Sequence, residues 1–372
     1  MTLRENIMAI LNYKPYDKFP IVHFGYWNET LEKWGEEGHI PKDYHKLWYD
    51  TGEVDKELEK ILGFDFNWCV TFGGGADLNP CFEPKVLKEF PDGSRHQMQG
   101  DGVVVYMGTE LSSIPTEISH TLIDRKSYEE HYKPKLIPSK SRINFEYLEN
   151  LKKDVNPENP RGLHLGSLFG TIRNWIGVEM SAYMYADDEE LFTEIIDDMA
   201  NLSYEQAKMV LETGATFDYG HFWEDICFKN GPLISPAVFE EKFSHHYKRI
   251  TDLLKQYGID IVSLDCDGCI DALLPIWLKN GVNTMFPIEV GTWDACIAQW
   301  REKYGKDLRG VGGMNKVVFA QEREDIDREV DRLKKLIDLG GYIPCPDHRI
   351  APDAKFDNVK YYTYRMREVL NK

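Results

Sequence analysis

The sequence predicts a (β/α)8 TIM barrel with an N-terminal helical extension and a β-hairpin insertion, built as a single domain over residues 1–372. Three observations predict it. Eight short apolar runs of strand length recur along the chain. Amphipathic helical patterns separate the later runs. Most runs end in Gly, Asp, His or Pro, so polar groups gather at one end of the strands. Strands alternating with helices imply a parallel sheet, and eight of them imply closure into a barrel of roughly 250 residues plus insertions.

The runs are residues 20–24, 66–70, 162–166, 217–221, 260–265, 284–288, 308–312 and 342–346. The first begins at Pro20, where a missing N–H is tolerated. Residues 25–60 read as helical connections rich in Trp and charge. Residues 80–120 read as an inserted β-hairpin, with strands at 85–90 and 103–107 around a turn at 91–94. It is placed to cover one mouth of the barrel. Leu191, Ile195, Met199 and Leu202 fall on one helical face. Ser235 followed by Pro236 is an N-cap and first-turn proline, and Phe239, Phe243, Ile250 and Leu254 then share a face. Ile326, Val330, Leu333 and Ile337 make another helix, stopped by Gly340 and Gly341. An open doubly wound sheet is the alternative, but no G-x-G-x-x-G follows the first strand.

Composition narrows the function classes. An apolar share of 42% and an aromatic share of 13% belong to a globular chain with a core. No run of apolar residues reaches the length of a membrane span. The first ten residues lack a signal-peptide pattern. A net charge of −18 argues against nucleic acid and anionic membranes as partners. Seven irregularly spaced cysteines do not make a disulfide framework, so the expected location is the reducing cytoplasm. Cys266 and Cys269 form a lone C-x-x-C, with no second pair to complete a four-thiolate zinc site. G-x-S-x-G, P-loop and H-E-x-x-H motifs are absent.

In a barrel, residues just past each strand converge on one mouth. Those positions carry His23 and Trp27; His221, Trp223, Glu224 and Asp225; Asp265 and Asp267; Glu289; Asn315; and Asp347, His348 and Arg349. Ionisable groups so concentrated shift one another's pKa values or hold a cation. Asp265 and Asp267, two apart, would face the same way on a continuing strand. With His348 they are the candidate metal ligands. The expected catalytic residues are His348, Asp265, Asp267 and Glu224. The expected substrate-binding residues are His23, Trp27, Arg173, His221, Trp223, Glu289 and Asn315. Several have a structural alternative. His348 could brace the turn at Pro346, and Asp265 and Asp267 could be turn residues before Gly268. Glu224 and Asp225 could be helix N-terminal charges, and His23 could be a core histidine. The aromatics Trp27, Phe72, Trp175 and Trp223 would suit a flat apolar substrate, or are ordinary core and lid residues.

Several segments carry a family resemblance. They are residues 4–12 with Phe19-Pro20 after them, residues 231–236, the turn Asp265-Cys266-Asp267-Gly268, and Pro346-Asp347-His348-Arg349 with Pro352 and Asn358 downstream. Over nearly its whole length the chain resembles the uroporphyrinogen decarboxylase superfamily. The resemblance implies a (β/α)8 barrel and two reaction classes: cofactor-free decarboxylation, and methyl transfer to or from a corrinoid, often with zinc. Decarboxylases of the family carry an arginine-rich motif after the first strand. Here that stretch is His23-Phe24-Gly25-Tyr26-Trp27-Asn28, without arginine. The zinc methyltransferases place His-x-Cys at the fifth strand end and Cys after the eighth. The matching positions here are Asp265, Asp267 and His348, so the chain departs at all three.

The resemblance therefore implies a corrinoid-dependent methyltransferase like the substrate-demethylating component of an O-demethylase system. Its methyl donor would be a methoxylated aromatic. Its acceptor would be the Co(I) of a corrinoid (cobalamin) on a partner protein, and zinc is the metal the family would supply. His348 would act as general acid, or a cation would sit among Asp265, Asp267, His348 and Glu224. The alternatives are a cofactor-free decarboxylase of a porphyrinogen-like or aromatic acid, and a non-catalytic binder of corrinoid or metal. Members of the family are often homodimers.

Overall fold

The computed structural model describes residues 1–109 and 115–370. In chain order its strands are β1 (Val22–His23), β2 (Phe66–Asn67), β3 (Thr71–Gly73), β4 (Lys85–Glu89), β5 (Arg95–Met98), β6 (Val103–Met107), β7 (Thr116–His120), β8 (Gly162–His164), β9 (Tyr219–Trp223), β10 (Cys227–Phe228), β11 (Gly231–Pro232), β12 (Ile261–Asp265), β13 (Thr284–Phe286), β14 (Arg309–Met314) and β15 (Tyr342–Pro346). Seven of them form a parallel sheet in the order β15-β14-β13-β12-β9-β8-β3. β1 pairs in parallel with β2, Val22 opposite Phe66 and His23 opposite Asn67. The chain beyond β15 returns beside the chain beyond β1. Ile350 N–H donates to Gly25 O at 3.0 Å, and Trp27 N–H to Ile350 O at 3.2 Å. The fold is mixed α/β with the arrangement of a (β/α)8 barrel. Its two ends meet at this rim contact rather than along a continuous ladder.

All eight expected runs contain strand, and the last coincides with β15. The second run does not continue as one strand. Asn67 Oδ1 accepts the Cys69 N–H at 3.0 Å, which takes that donor out of the ladder and ends β2, and β3 starts just past the run at Thr71. Alternation then sorts the faces of β9. Phe222 packs outward on Tyr247 of the helix Pro236–Gln256, at 5.2 Å between rings. Tyr219, His221 and Trp223 therefore face inward. Tyr219 stacks on Trp68 at 4.6 Å, and Trp68 Nε1 donates to Ser263 Oγ. This aromatic pair fills the barrel below the mouth.

The insertion is larger than a hairpin. The strands β4 to β7 form a four-stranded antiparallel meander, with Met98 opposite both Lys85 and Val104. The sequence misses β5 because Arg95-His96-Gln97-Met98 has no apolar alternation. The segment 110–114 of the expected insertion lies outside the described residues. Helices follow the periodicity. In Arg323–Ile337 the buried face is Ile326, Glu329, Val330, Leu333 and Ile337, and Gly340 and Gly341 follow with φ of 64° and 59°. Ser235 precedes Pro236 as expected, but its side chain makes no capping hydrogen bond. No helix among the described residues is long and apolar enough to cross a membrane.

Candidate active site at the carboxyl ends of the strands

β12 ends at Asp265, so Asp267 lies in the following turn rather than on the strand. The two carboxylates still meet, with a third that the residue pattern had placed at the mouth, with a helix-end charge as its alternative. Single oxygens of Asp225, Asp265 and Asp267 all lie within 4.8 Å of one another. Asp225 is carried just past β9 with φ of 47°, a left-handed backbone an aspartate adopts at a cost. Its Oδ1 accepts the Asp267 N–H at 3.0 Å. Asp267 Oδ2 lies 3.0 Å from His348 Nε2, while Asp267 Oδ1 and His348 Nδ1 have no hydrogen-bond partner. His348 in turn stacks on Trp27 at 5.3 Å, with planes 18° apart.

The electrostatics follow from crowding. Desolvation, then the neighbouring Asp267 carboxylate, pushes Asp225 up to about 7. Asp265 is buried and held well above the carboxylate range, first by desolvation and then by Asp225. Glu289 is raised by burial and by Asp267. Its oxygens accept the Gly268 N–H at 2.5 Å and the Thr292 hydroxyl at 2.8 Å. At neutral pH such a group keeps protons that isolated carboxylates release.

Other expected residues fall elsewhere. Glu224 leaves the constellation. Its carboxylate points into the helix layer and accepts from Ser167 Oγ, Tyr247 Oη and the N–H groups of Leu168, Phe169 and Gly170. It caps the helix Gly170–Ile176, a structural duty that uses up its lone pairs. His23 also faces away from the mouth. It lies 4.9 Å from Phe64 and 3.2 Å from Glu59 Oε1, whereas its neighbour Phe24 reaches Phe286 and His348 inside the barrel. Asn315 Oδ1 accepts the Val317 N–H and so caps the turn Lys316–Ala320. Trp175 and Phe72 pack on Tyr132 and Tyr147.

Around the carboxylates remain His221, Trp223 and Arg173. Trp223 is half-buried at the end of β9, opposite Asp265 in register. His221 is buried with Nδ1 unpartnered, and burial beside His164 lowers its pKa to about 3, so the ring is neutral. Arg173 Nη2 donates to Asp225 O at 2.7 Å, and its Nε has no partner. Two residues with a place here were not among the expected catalytic and substrate-binding residues. One is Asp225 as a member of the cluster. The other is Lys316, whose pKa burial lowers against the fields of Asp347, Glu289 and Asp267. A count of one more residue past Asn315 could have found it. Arg349 is engaged in a two-point ion pair with Asp50, at 2.6 and 3.2 Å.

The donor set decides what metal could be held. Cys266 lies against Asp267 O at 3.5 Å, and Cys345 is buried. Among the described residues, no cysteine joins a set of three metal-capable side chains within 4.8 Å. These residues do not fit a zinc–thiolate centre. The three carboxylates, with His348 beside them, are an oxygen-rich set suited to a harder cation.

Comparisons with known proteins agree with the architecture. A family model described as Uroporphyrinogen decarboxylase (URO-D) matches residues 102–369. No curated protein sequence matches significantly. Among solved structures, a methyltransferase from Methanosarcina mazei superposes with a TM-score of 0.60 at 17% identity, over 99% of each chain. At that identity the likeness is one of fold. A B12-independent methionine synthase from Shewanella sp. W3-18-1 gives a TM-score of 0.49 at 13% identity, over 94% of this chain and 98% of that one.

Proposed function

We propose a methyl transfer at this mouth, from the premise that the chain belongs to the uroporphyrinogen decarboxylase family. The donor is a methoxylated aromatic, and the methyl carbon passes to the Co(I) of a corrinoid held by a separate protein. The observation that carries the reading is a carboxyl group with a pKa of about 7 at the strand ends, Asp225, joined through Asp267 to His348. An aryl ether gives up its methyl group slowly because phenolate leaves poorly. A positioned acid removes that barrier by protonating the oxygen as the C–O bond breaks, an effect typically worth about 10²–10⁴-fold. The phenol leaves neutral, and Asp225 regains its proton from solvent. Trp27 and Trp223 offer flat apolar surface to the ring at either side of the acids. The resemblance in fold to the Methanosarcina mazei methyltransferase supports the same reaction class.

The family's printed description names decarboxylation instead. A porphyrinogen with many carboxylates fits this mouth poorly. Asp225, Asp265, Asp267 and Glu289 crowd it, and Asp50 already neutralises Arg349. Purified protein with Co(I) corrinoid and a panel of methoxybenzenes tests the proposal. Loss of Co(I) absorbance with release of the matching phenol is expected. A flat trace across ethers, amines and thiols contradicts it, and carbon dioxide release from aromatic or porphyrinogen acids would support the decarboxylase.

A further inference from the structure

Taking methyl transfer as the reaction at this mouth, we propose that His221 and His164 together bind a free hydroxyl group on the ring of the methyl donor, across the ring from its methoxy group, so that the substrate is a para-methoxyphenol. The two histidines lie on adjacent strands, His164 at the end of β8 opposite His221 on β9. Residues opposite each other in a parallel ladder share a face, so both rings enter the barrel interior. Their centroids are 5.8 Å apart.

They form the floor of the mouth. Two residues back along β9 from His221, Tyr219 stacks on Trp68 and fills the barrel below. Two residues on comes Trp223, opposite Asp265 in register. Two residues of strand rise by about 7 Å, close to the length of a benzene ring with an oxygen at each end. Phe286 lies 6.2 Å from His221 and 4.4 Å from Phe24, and Phe24 lies 5.4 Å from His348. An apolar wall of phenylalanine thus runs from the histidine floor to the acids. An aryl ether whose oxygen meets the acids sets the opposite ring carbon against the floor.

The imidazoles select the group carried there. His221 is 3% exposed, and its Nδ1 has no hydrogen-bond partner. A buried polar atom left so is rare unless a water or a ligand group faces it. His164 Nδ1 accepts the Gly166 N–H at 3.0 Å, which leaves the ring proton on Nε2. Burial, then the field of His164, lowers His221 to about 3, and burial also lowers His164. Two neutral rings bring no charge to hold a carboxylate. A hydroxyl suits them because it accepts from one ring and donates to the other, and it pairs with His221 in either tautomer. A phenol stays neutral at pH 7, as a tyrosine does. A methyl group in the same place leaves the ring nitrogens unpaired.

Three ethers test this: para-methoxyphenol, its isostere para-methoxytoluene, and ortho-methoxyphenol. Each is measured in turnover with Co(I) corrinoid, and by calorimetric binding to the full chain without corrinoid. Wild-type protein should favour para-methoxyphenol over each of the others by about 30-fold, in kcat/KM and in Kd, the scale of one buried polar group left unpaired. His221→Phe should abolish the preference, chiefly through KM. His221→Asn keeps a polar atom near the place of Nδ1 and should restore most of it. If neither variant folds, the wild-type ranking of the three ethers is still read. A binding preference that needs His221, without turnover of any ether, supports the hydroxyl site and counts against methyl transfer alone. Equal wild-type affinity for para-methoxyphenol and either other ether, or a preference that survives in His221→Phe, overturns the proposal and leaves water as the partner of Nδ1.

Discussion

The pocket behind residue 224 and the mouth in front of residue 225 hold carboxylates one peptide unit apart, satisfied to opposite extents. Glu224 is fully buried and accepts from five donors. Asp225 sits in a left-handed backbone, accepts one backbone N–H, and shares its space with two further carboxylates. Burial alone therefore does not mark a working acid. What marks it is a group whose charge the surroundings fail to stabilise, since only that group keeps a proton to give at neutral pH. The difference also predicts that the two neighbours respond oppositely to substitution.

The largest effect belongs to the satisfied region. Glu224→Ala strips the caps from the helix Gly170–Ile176 and orphans the Tyr247 hydroxyl, and should cost about 4 kcal/mol in denaturant unfolding. Asp225→Asn should do the reverse. Methyl-transfer turnover should fall by at least about 100-fold, the scale of a lost general acid, with the fold intact. An Asp225→Asn enzyme with normal turnover would erase the distinction between the two regions.

Stability against pH sharpens the contrast. The folded pKa of Asp225 is raised to about 7 from an ordinary 3.8, so the folded chain binds more protons than the unfolded one between those values. Its contribution to stability is present below pH 3.8 and is lost as pH rises through 7. Asp225→Asn should remove that slope and gain about 2 kcal/mol at pH 8, measured by urea unfolding across the range. An unchanged slope would mean that the proton resides elsewhere. The smallest effect is expected at the aromatic rim. Trp27→Ala should raise the KM for a methoxybenzene by about tenfold while turnover changes little, because a stacked contact with the substrate ring is worth about 1 kcal/mol.

The two regions also show what was legible from sequence. The eight apolar runs reported the barrel strands, because a strand buried on both faces is apolar throughout. Helix faces followed from their spacing, as with Ile326, Val330, Leu333 and Ile337. The polar strand β5 was hidden, as was the end of β2 at Asn67, where a side chain competes with the ladder. At the site, position after a strand identified the neighbourhood of Asp265, Asp267 and His348. It did not tell Glu224 from Asp225, because a half-turn of backbone decides which side chain faces the mouth. The same ambiguity put His23 on the wrong side of β1, since alternation points it at Phe64 and Glu59. Lys316 escaped notice because its turn is fixed by Asp347 Oδ1 accepting its N–H, a contact thirty-one residues away in sequence.

The pH dependence of methyl transfer tests the central claim most directly. Turnover of a methoxybenzene with Co(I) corrinoid should fall as pH rises through about 7, as Asp225 loses its proton, and the decline should vanish in Asp225→Asn, leaving a low, level rate. A wild-type rate that is flat or rises across that interval would contradict a carboxyl proton donor at this mouth.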